Sequence, residues 1–438
     1  MVNQNRLFLG SCFALITTAF SFSIRAGILP QLATDFNLSA EQLGFINSMW
    51  FLGFPIAMIV GGLVYHTVGP KKIMMIAFVC HALGIILTIY SGGYTGLLLS
   101  TFLIGIGNGC TEAACNPMIA DAYSGSKMST MLNRFHMWFP GGIVVGSLLS
   151  FLFTHAANGT NVILDGNILQ NIIGGIANLL ISALSALNSV IHLGWQAQIW
   201  LILIPTLIYA YLFLGQEFPK PKTEGVTSIG ENLKSMATPL YIFMFACMAL
   251  TAISEFGPQQ WTGLIMSKSG ASPMLILALV TGLMAVIRYF AGPIVAKFDQ
   301  TGVLLGSAVL ATIGVYLFST QTGTMAYVAA IFFACGVALF WPNMIGFIAE
   351  KVPLSGALGM SILGGVGMFS TSIFQPIIGR WIDSSKAEKV AAGLTGDEME
   401  LAAGQATLST MVLFPAILIV AFGVLYLWQK RKTVVSVA

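Results

Sequence analysis

Twelve separate stretches of this chain are long enough and apolar enough to cross a lipid bilayer, and that feature outweighs every other constraint on its fold. A spanning helix needs about 20 mostly apolar residues. Such stretches run over 7–33, 42–65, 73–91, 97–122, 132–154, 196–214, 239–266, 273–296, 302–319, 325–349, 357–382 and 407–428. Turn-forming residues separate several of them, at Gly69-Pro70, Gly92-Gly93, Ser124-Gly125 and Gly270 to Pro273. Hydrocarbon offers no water to backbone N–H and C=O groups, so each stretch is read as a helix that satisfies its own backbone. Only 8% of the residues are charged, against roughly 25% in soluble domains, so this chain could not cover a water-facing surface. The first apolar run begins at Leu7, outlasts a signal-peptide core and lacks a clear cleavage site; it is read as a membrane helix.

Lysine and arginine placement gives the expected orientation. With the N-terminus inside, 13 of the 19 basic residues fall on the cytoplasmic side: Arg6, Lys71, Lys72, Lys127, Arg134, Lys220, Lys222, Lys234, Lys297, Lys351, Lys430, Arg431 and Lys432. Four fall outside, namely Lys268, Arg380, Lys386 and Lys389. This bias predicts a multi-pass protein of the plasma (inner) membrane with both termini cytoplasmic. The long polar stretch 215–238 then reads as a cytoplasmic linker between an N-terminal six-helix bundle over 1–214 and a C-terminal one over 239–438. The halves echo one another weakly: Ile119-Ala120-Asp121 ends the fourth span and Ile348-Ala349-Glu350 the tenth. Residues 160–194 fit neither bundle. Their apolar residues recur with helical period, which predicts an external amphipathic insertion lying at the interface; a re-entrant or additional hairpin is the rival.

Motifs point to a family. The fourth span reads T-E-A-A-C-N-P at 111–117, followed by L-N-R-F-H at 132–136; the tenth carries F-W-P-N at 340–343 and the eleventh I-L-G-G-V-G at 362–367. The chain thereby resembles the major facilitator superfamily, and within it the fucose/glucose/galactose permease branch of proton-coupled sugar symporters. The resemblance implies an all-α membrane protein, twelve transmembrane helices in two pseudo-symmetric six-helix bundles, with a site between them that opens alternately to each side. It also implies a proton-coupling role for Glu112, and it places His136 where some members use a glutamine to contact sugar. The sequence departs from the family at three points. His66 stands at the usual acidic position after the second span, Pro70 replaces a basic residue there, and Ala26, beside Arg25, aligns with an acidic residue of the fucose permease.

Charges inside a bilayer cost several kcal/mol unless they pair or meet water. Four lie within spans: Arg25, Glu112, Glu255 and Arg288. Glu112 and Glu255 are the candidate proton-coupling residues; for Glu112 the competing reading is a permanent ion pair with an arginine. Glu255 sits in S-E-F-G-P-Q-Q-W (254–261), where Gly257 and Pro258 predict an interrupted helix that would turn Gln259 and Gln260 towards substrate. Arg288 either binds an anionic group or pairs with Glu255 or Glu112, near the middle of its span. Arg25 either clamps a carboxylate or phosphate through a two-pronged contact or snorkels to the interface. Sugar sites combine amide and carboxylate groups with an aromatic face, which adds Asn116, His136, Trp138, Trp341, Asn343 and Gln375 as substrate candidates. Asp121, Arg134, Lys71, Lys297 and Glu350 are candidates for a cytoplasmic gate, with solvated surface charge as the alternative.

The sequence holds no phosphate-binding loop and no hydrolase or kinase signature, which argues against an enzyme or an ATP-driven pump. The six cysteines have neither paired nor zinc-like spacing, so no cofactor and no metal is expected. No basic tract suggests a nucleic acid. The expected partners are a small-molecule substrate, protons and the lipid bilayer, with the chain a monomer. The leading expectation is sugar–proton symport. An organic-anion symporter or exchanger using Arg25 and Arg288 is the first alternative, and a non-transporting membrane receptor the second.

Overall fold

A computed structural model of the chain describes residues 3–123, 131–132, 134–162, 168–188, 193–219 and 229–437. Within them the chain is helical, and eleven helices are long and apolar enough to cross a membrane. A twelfth, Pro273–Tyr289, is apolar but shorter. In chain order, the first half comprises α1 (Gln4–Asp35), α2 (Ala40–Val68), α3 (Pro70–Ile89), α4 (Tyr94–Ala122), α5 (Trp138–Asn158), α6 (Ile168–Asn188) and α7 (Trp195–Phe213). The short α8 (Ile229–Met236) lies within the stretch read as a linker. The second half comprises α9 (Pro239–Ile265), α10 (Pro273–Tyr289), α11 (Ala291–Thr320), α12 (Thr324–Val337), α13 (Phe340–Lys351), α14 (Gly356–Ala391), α15 (Gly396–Met411) and α16 (Leu413–Val437). Leaving α6 and α8 aside, and counting α12 with α13 and α15 with α16, these are twelve spans in two sets of six.

The halves meet along three seams: α1 against α9, α2 against α14, and α5 against α10. Exchange of the halves maps the second and third of these onto one another, which is the pseudo-symmetry of the fold. The α2–α14 seam is backbone against backbone. A methyl on Gly44 would lie 2.5 Å from the Gln375 carbonyl oxygen, and one on Gly379 would collide with the Ala40 carbonyl, so these positions admit no side chain without displacement. Ser48 and Ser372 share a hydrogen bond of 2.8 Å across it. At the end where α1 finishes at Asp35, charge closes the seam. Glu41 pairs with Arg380 at 2.8 Å, and Asp383 accepts from the backbone N–H groups of Ala40 and Glu41 at 3.0 and 2.8 Å. Asp383 of one bundle thus supplies acceptors to the first turn of a helix in the other.

Three sequence expectations need correction. The seventh span is not interrupted at Gly257-Pro258: α9 runs unbroken from Pro239 to Ile265. Proline forfeits one hydrogen bond, whereas unwinding in an apolar interior would expose several backbone groups. The break lies instead in the tenth span, between Val337 and Phe340. Second, the eighth span, expected over 273–296, is kinked: α10 ends at Tyr289, helical residues resume at Ala291, and the chain turns into the ninth span at Asp299, whose φ of 54° is left-handed and whose carboxylate accepts from Thr301 N, Gly302 N and the Thr301 hydroxyl. Arg288 lies in the last turn of α10, beside that kink. Third, the last two spans exceed their expected bounds: α14 continues to Ala391, and the twelfth begins at Gly396 with a break at Val412.

The insertion forms α6, which packs on the end of α5. Three of its polar residues face the protein. Ser185 donates to the Ala156 carbonyl at 3.3 Å, Asn188 to that of Ala157 at 3.5 Å, and Asn178 makes both backbone bonds of Val162. Its apolar residues Ile176, Leu179, Leu180 and Leu187 are exposed, Leu179 at 72%. Residues 163–167 and 189–192 of the insertion, and 220–228 of the linker, lie outside the described residues.

Candidate functional site

Arg25 sits two-thirds along α1, buried at 5% exposure where that helix meets α9. Its partners come from three helices. Gln260 Oε1, on α9, accepts from Nε at 3.2 Å and from Nη2 at 2.5 Å. On α2, the Trp50 and Phe51 rings lie 4.9 and 5.7 Å from the guanidinium carbon, where their faces attract a cation. Nη1 has no hydrogen-bond partner, and no carboxylate lies within ion-pair distance among the described residues. The interfacial snorkel is thereby replaced by an inward placement. Below Arg25, Phe22 contacts Trp50, Phe51, Phe139 and Phe256 with ring centroids 5.7–6.3 Å apart, an aromatic plug drawn from both halves.

Glu255 and Arg288 come together at 3.6 Å. Glu255 is buried on α9, and the Arg288 side chain is about a quarter exposed. The second anchor of Arg288 is the break in the tenth span: Nε donates to the Ala338 carbonyl at 2.8 Å. That carbonyl is one of those a broken helix frees, so a single guanidinium holds both the carboxylate and the break.

Glu112 is half-buried on α4. Its partner is Asn116 one turn on, whose Nδ2 donates at 2.5 Å, and no arginine or lysine stands within ion-pair distance among the described residues. Asn116 Oδ1 is left unpartnered. His136 and Trp138 are exposed at the start of the fifth span. Trp341 packs on Gly364 and Gly367 and edges Phe256 at 6.3 Å. Asn343 is buried with Nδ2 unpartnered. Gln259 turns away from the α1 interface, its Nε2 3.7 Å from Met284 Sδ. Gln375 accepts from Asn47 at 3.5 Å on the α2–α14 seam. The structure therefore gathers Arg25 with Gln260, Glu255 with Arg288, and Glu112 with Asn116.

The proposed cytoplasmic gate residues are not brought together. Asp121 accepts from the Tyr65 hydroxyl at 2.8 Å, and Glu350 pairs with its chain neighbour Lys351 at 2.7 Å. Lys71, Arg134 and Lys297 are exposed, and none is in an ion pair with Asp121 or Glu350 among the described residues. No cluster of metal-ligating residues occurs among the described residues either.

The sequence reading overlooked one polar network. His81 of α3, buried, bonds Tyr209 of α7 and Asn108 of α4, each at 2.9 Å. Asn108 donates to Ser21 at 3.3 Å, and Trp50 donates to the same hydroxyl at 2.9 Å. This chain of bonds fixes the ring on which Arg25 rests. Its sequence signal was two neutral polar residues in mid-span, His81 and Asn108, which a search weighted to charge passes over.

Comparison with known proteins agrees with this architecture. Residues 11–164 match the Major Facilitator Superfamily. A putative niacin/nicotinamide transporter of Bacillus subtilis is 21% identical over 394 residues, covering 86% of this chain and 88% of that protein. The L-fucose-proton symporter of Escherichia coli is 24% identical over 213 residues, covering 48% of this chain and 46% of that one. The nucleoside transporter NupG shares the fold with a TM-score of 0.71 at 13% identity, over 96% of this chain and 99% of the other. A multi-pass membrane protein, this chain matches the Major Facilitator Superfamily over residues 11–164 and shares, over nearly its whole length, the fold of a solved nucleoside transporter.

Proposed function

We propose that the chain is a secondary transporter of a small organic anion, which Arg25 receives by its carboxylate as the two bundles expose the site alternately to each side. One observation carries this reading: Arg25 is a buried cation that no carboxylate neutralises among the described residues, with Nη1 unpartnered. A buried charge without a counter-ion costs several kcal/mol, and a site that tolerates it gains most from a ligand that supplies the missing charge. Arg288 is less suited to the role, because Glu255 already faces it. One relative is named as a putative transporter of niacin, a small carboxylic acid, and of its neutral amide nicotinamide; the former fits the same chemistry.

In this reading the Asp35 end of α1 faces outward and is closed, with both termini in the cytoplasm and the membrane the inner one. The bundles are 1–214 and 239–438, with 215–238 the linker and 160–194 an insertion on the outer surface. A second reading, sugar–proton symport, is favoured by Glu112. It is half-buried, free of a basic partner among the described residues, and set within the E-x-A-A-x-N-P element shared with the sugar branch.

The deciding experiment is thermal stabilisation of the purified protein by nicotinate, benzoate, glucuronate and acetate on one side and fucose, glucose and galactose on the other, followed by proteoliposome flux. A ligand that binds only the folded state raises Tm in a concentration-dependent way. Stabilisation by a carboxylate that sugars do not compete away supports the anion reading. Stabilisation by sugars alone overturns it in favour of symport, and binding without flux makes the protein a receptor.

A further inference from the structure

The fork of Arg25 is not empty. A carboxylate on a guanidinium takes Nε–H and Nη2–H with one oxygen each. Here a single neutral oxygen, Gln260 Oε1, takes both. The other end of the same amide is also held by α1: Nε2 donates to the Phe22 carbonyl at 3.3 Å, three residues before Arg25. Gln260 belongs to α9, in the opposite bundle, and is fully buried. In the state observed, then, the place of a bound carboxylate is occupied by a residue of the other half, and that residue ties the halves together.

We propose that Gln260 is a built-in stand-in for the substrate's carboxylate. It fills Arg25 when the carrier is empty and is displaced when substrate binds. The proposal rests on the anion reading above and adds to it a consequence for how the carrier cycles. If nothing replaced the departing anion, bringing the halves together would bury a guanidinium with its donors unmet, a cost of several kcal/mol. Such a carrier would change state only when loaded and would perform strict exchange. An amide oxygen satisfies two donors without cancelling the charge. It is a weaker partner than a carboxylate, so substrate outcompetes it, yet it suffices for the empty carrier to close. Gln260 therefore permits net transport. The neighbouring Gln259 cannot substitute, because it faces Met284 on α10.

Two variants of the full chain in proteoliposomes test this, with nicotinate, benzoate, glucuronate and acetate as probes. Gln260→Ala removes an internal competitor, so the affinity for a carboxylate that binds the wild type should rise at least about threefold, whereas loss of a merely structural contact would not raise it. In the same variant the ratio of net uptake to exchange should fall about tenfold. Gln260→Glu keeps the shape and supplies a permanent counter-ion, so carboxylate affinity should fall more than about tenfold while Tm is kept. An unchanged or weakened affinity with an unchanged flux ratio in Gln260→Ala, or wild-type affinity in Gln260→Glu, overturns the stand-in role and leaves the anion reading intact. If no carboxylate stabilises the wild type, the anion reading itself falls, and this proposal with it.

Discussion

Arg25 has three partners, an amide oxygen and two aromatic rings, and none carries negative charge. A desolvated cation–π contact contributes about 2 kcal/mol and a hydrogen bond to a charged group about 1.5–3 kcal/mol. Together they offset burial without neutralising the cation. The fork geometry and not the charge alone should matter, so Arg25→Lys is expected to weaken carboxylate binding by about tenfold or more, read by titration calorimetry. Glu112→Gln is expected to abolish uptake driven by a pH gradient while exchange of preloaded substrate continues; full uphill uptake in that variant would remove Glu112 from proton coupling. The four charged residues inside the spans were legible in the sequence because each is expensive in hydrocarbon. Their partners were not. Gln260 is 235 positions from Arg25, and only the packing of α1 on α9 joins them. His81, Asn108 and Ser21 stayed hidden because neutral polar residues carry a smaller penalty and leave no comparable mark.

Among the elements, the order was readable from apolar runs, but the full lengths of the last two spans and the position of the helix break were not. Pro258 marked the wrong span. The actual break precedes Pro342, whose missing N–H leaves the Ala338 carbonyl without an intrahelical donor, and Arg288 takes that carbonyl. Removing that guanidinium strands both the carbonyl and Glu255. Arg288→Met should therefore cost about 3 kcal/mol, seen as a lower Tm in detergent, and Glu255→Gln added to it should recover part of the loss. The insertion was legible as a helix from its period, while the direction of its faces was not. In α6 Ser185 and Asn188 turn inward to the last carbonyls of α5, and Leu179, Leu180 and Leu187 turn out. A nitroxide at Leu179 should accordingly collide with oxygen far more than with a water-soluble nickel chelate; the reverse ratio would place that face in water.

At the scale of the whole molecule, the two sets of six spans followed from the count of apolar runs and the polar break at 215–238. The register of the α2–α14 seam did not, because the glycines that set it look like any other membrane glycines until the opposite backbone is in place. Gly44→Val should force that seam apart at the Asp35 end. A cysteine placed at Ser48 is expected to react with a thiol reagent at least about fivefold faster in that background than with Gly44 intact. Equal rates would show that the seam tolerates the bulk.

Ser39 and Gln42 cap α2 from within its own bundle, but the Ala40 and Glu41 amides are met by the carboxylate of Asp383 only while the bundles touch. When they part, those amides must be taken over by solvent, so opening at this mouth is a wetting event at a helix start as well as a rigid-body motion. Solutes that are excluded from protein surface, such as sucrose or sulfate, should hold the mouth shut, and dilution of them should let it open.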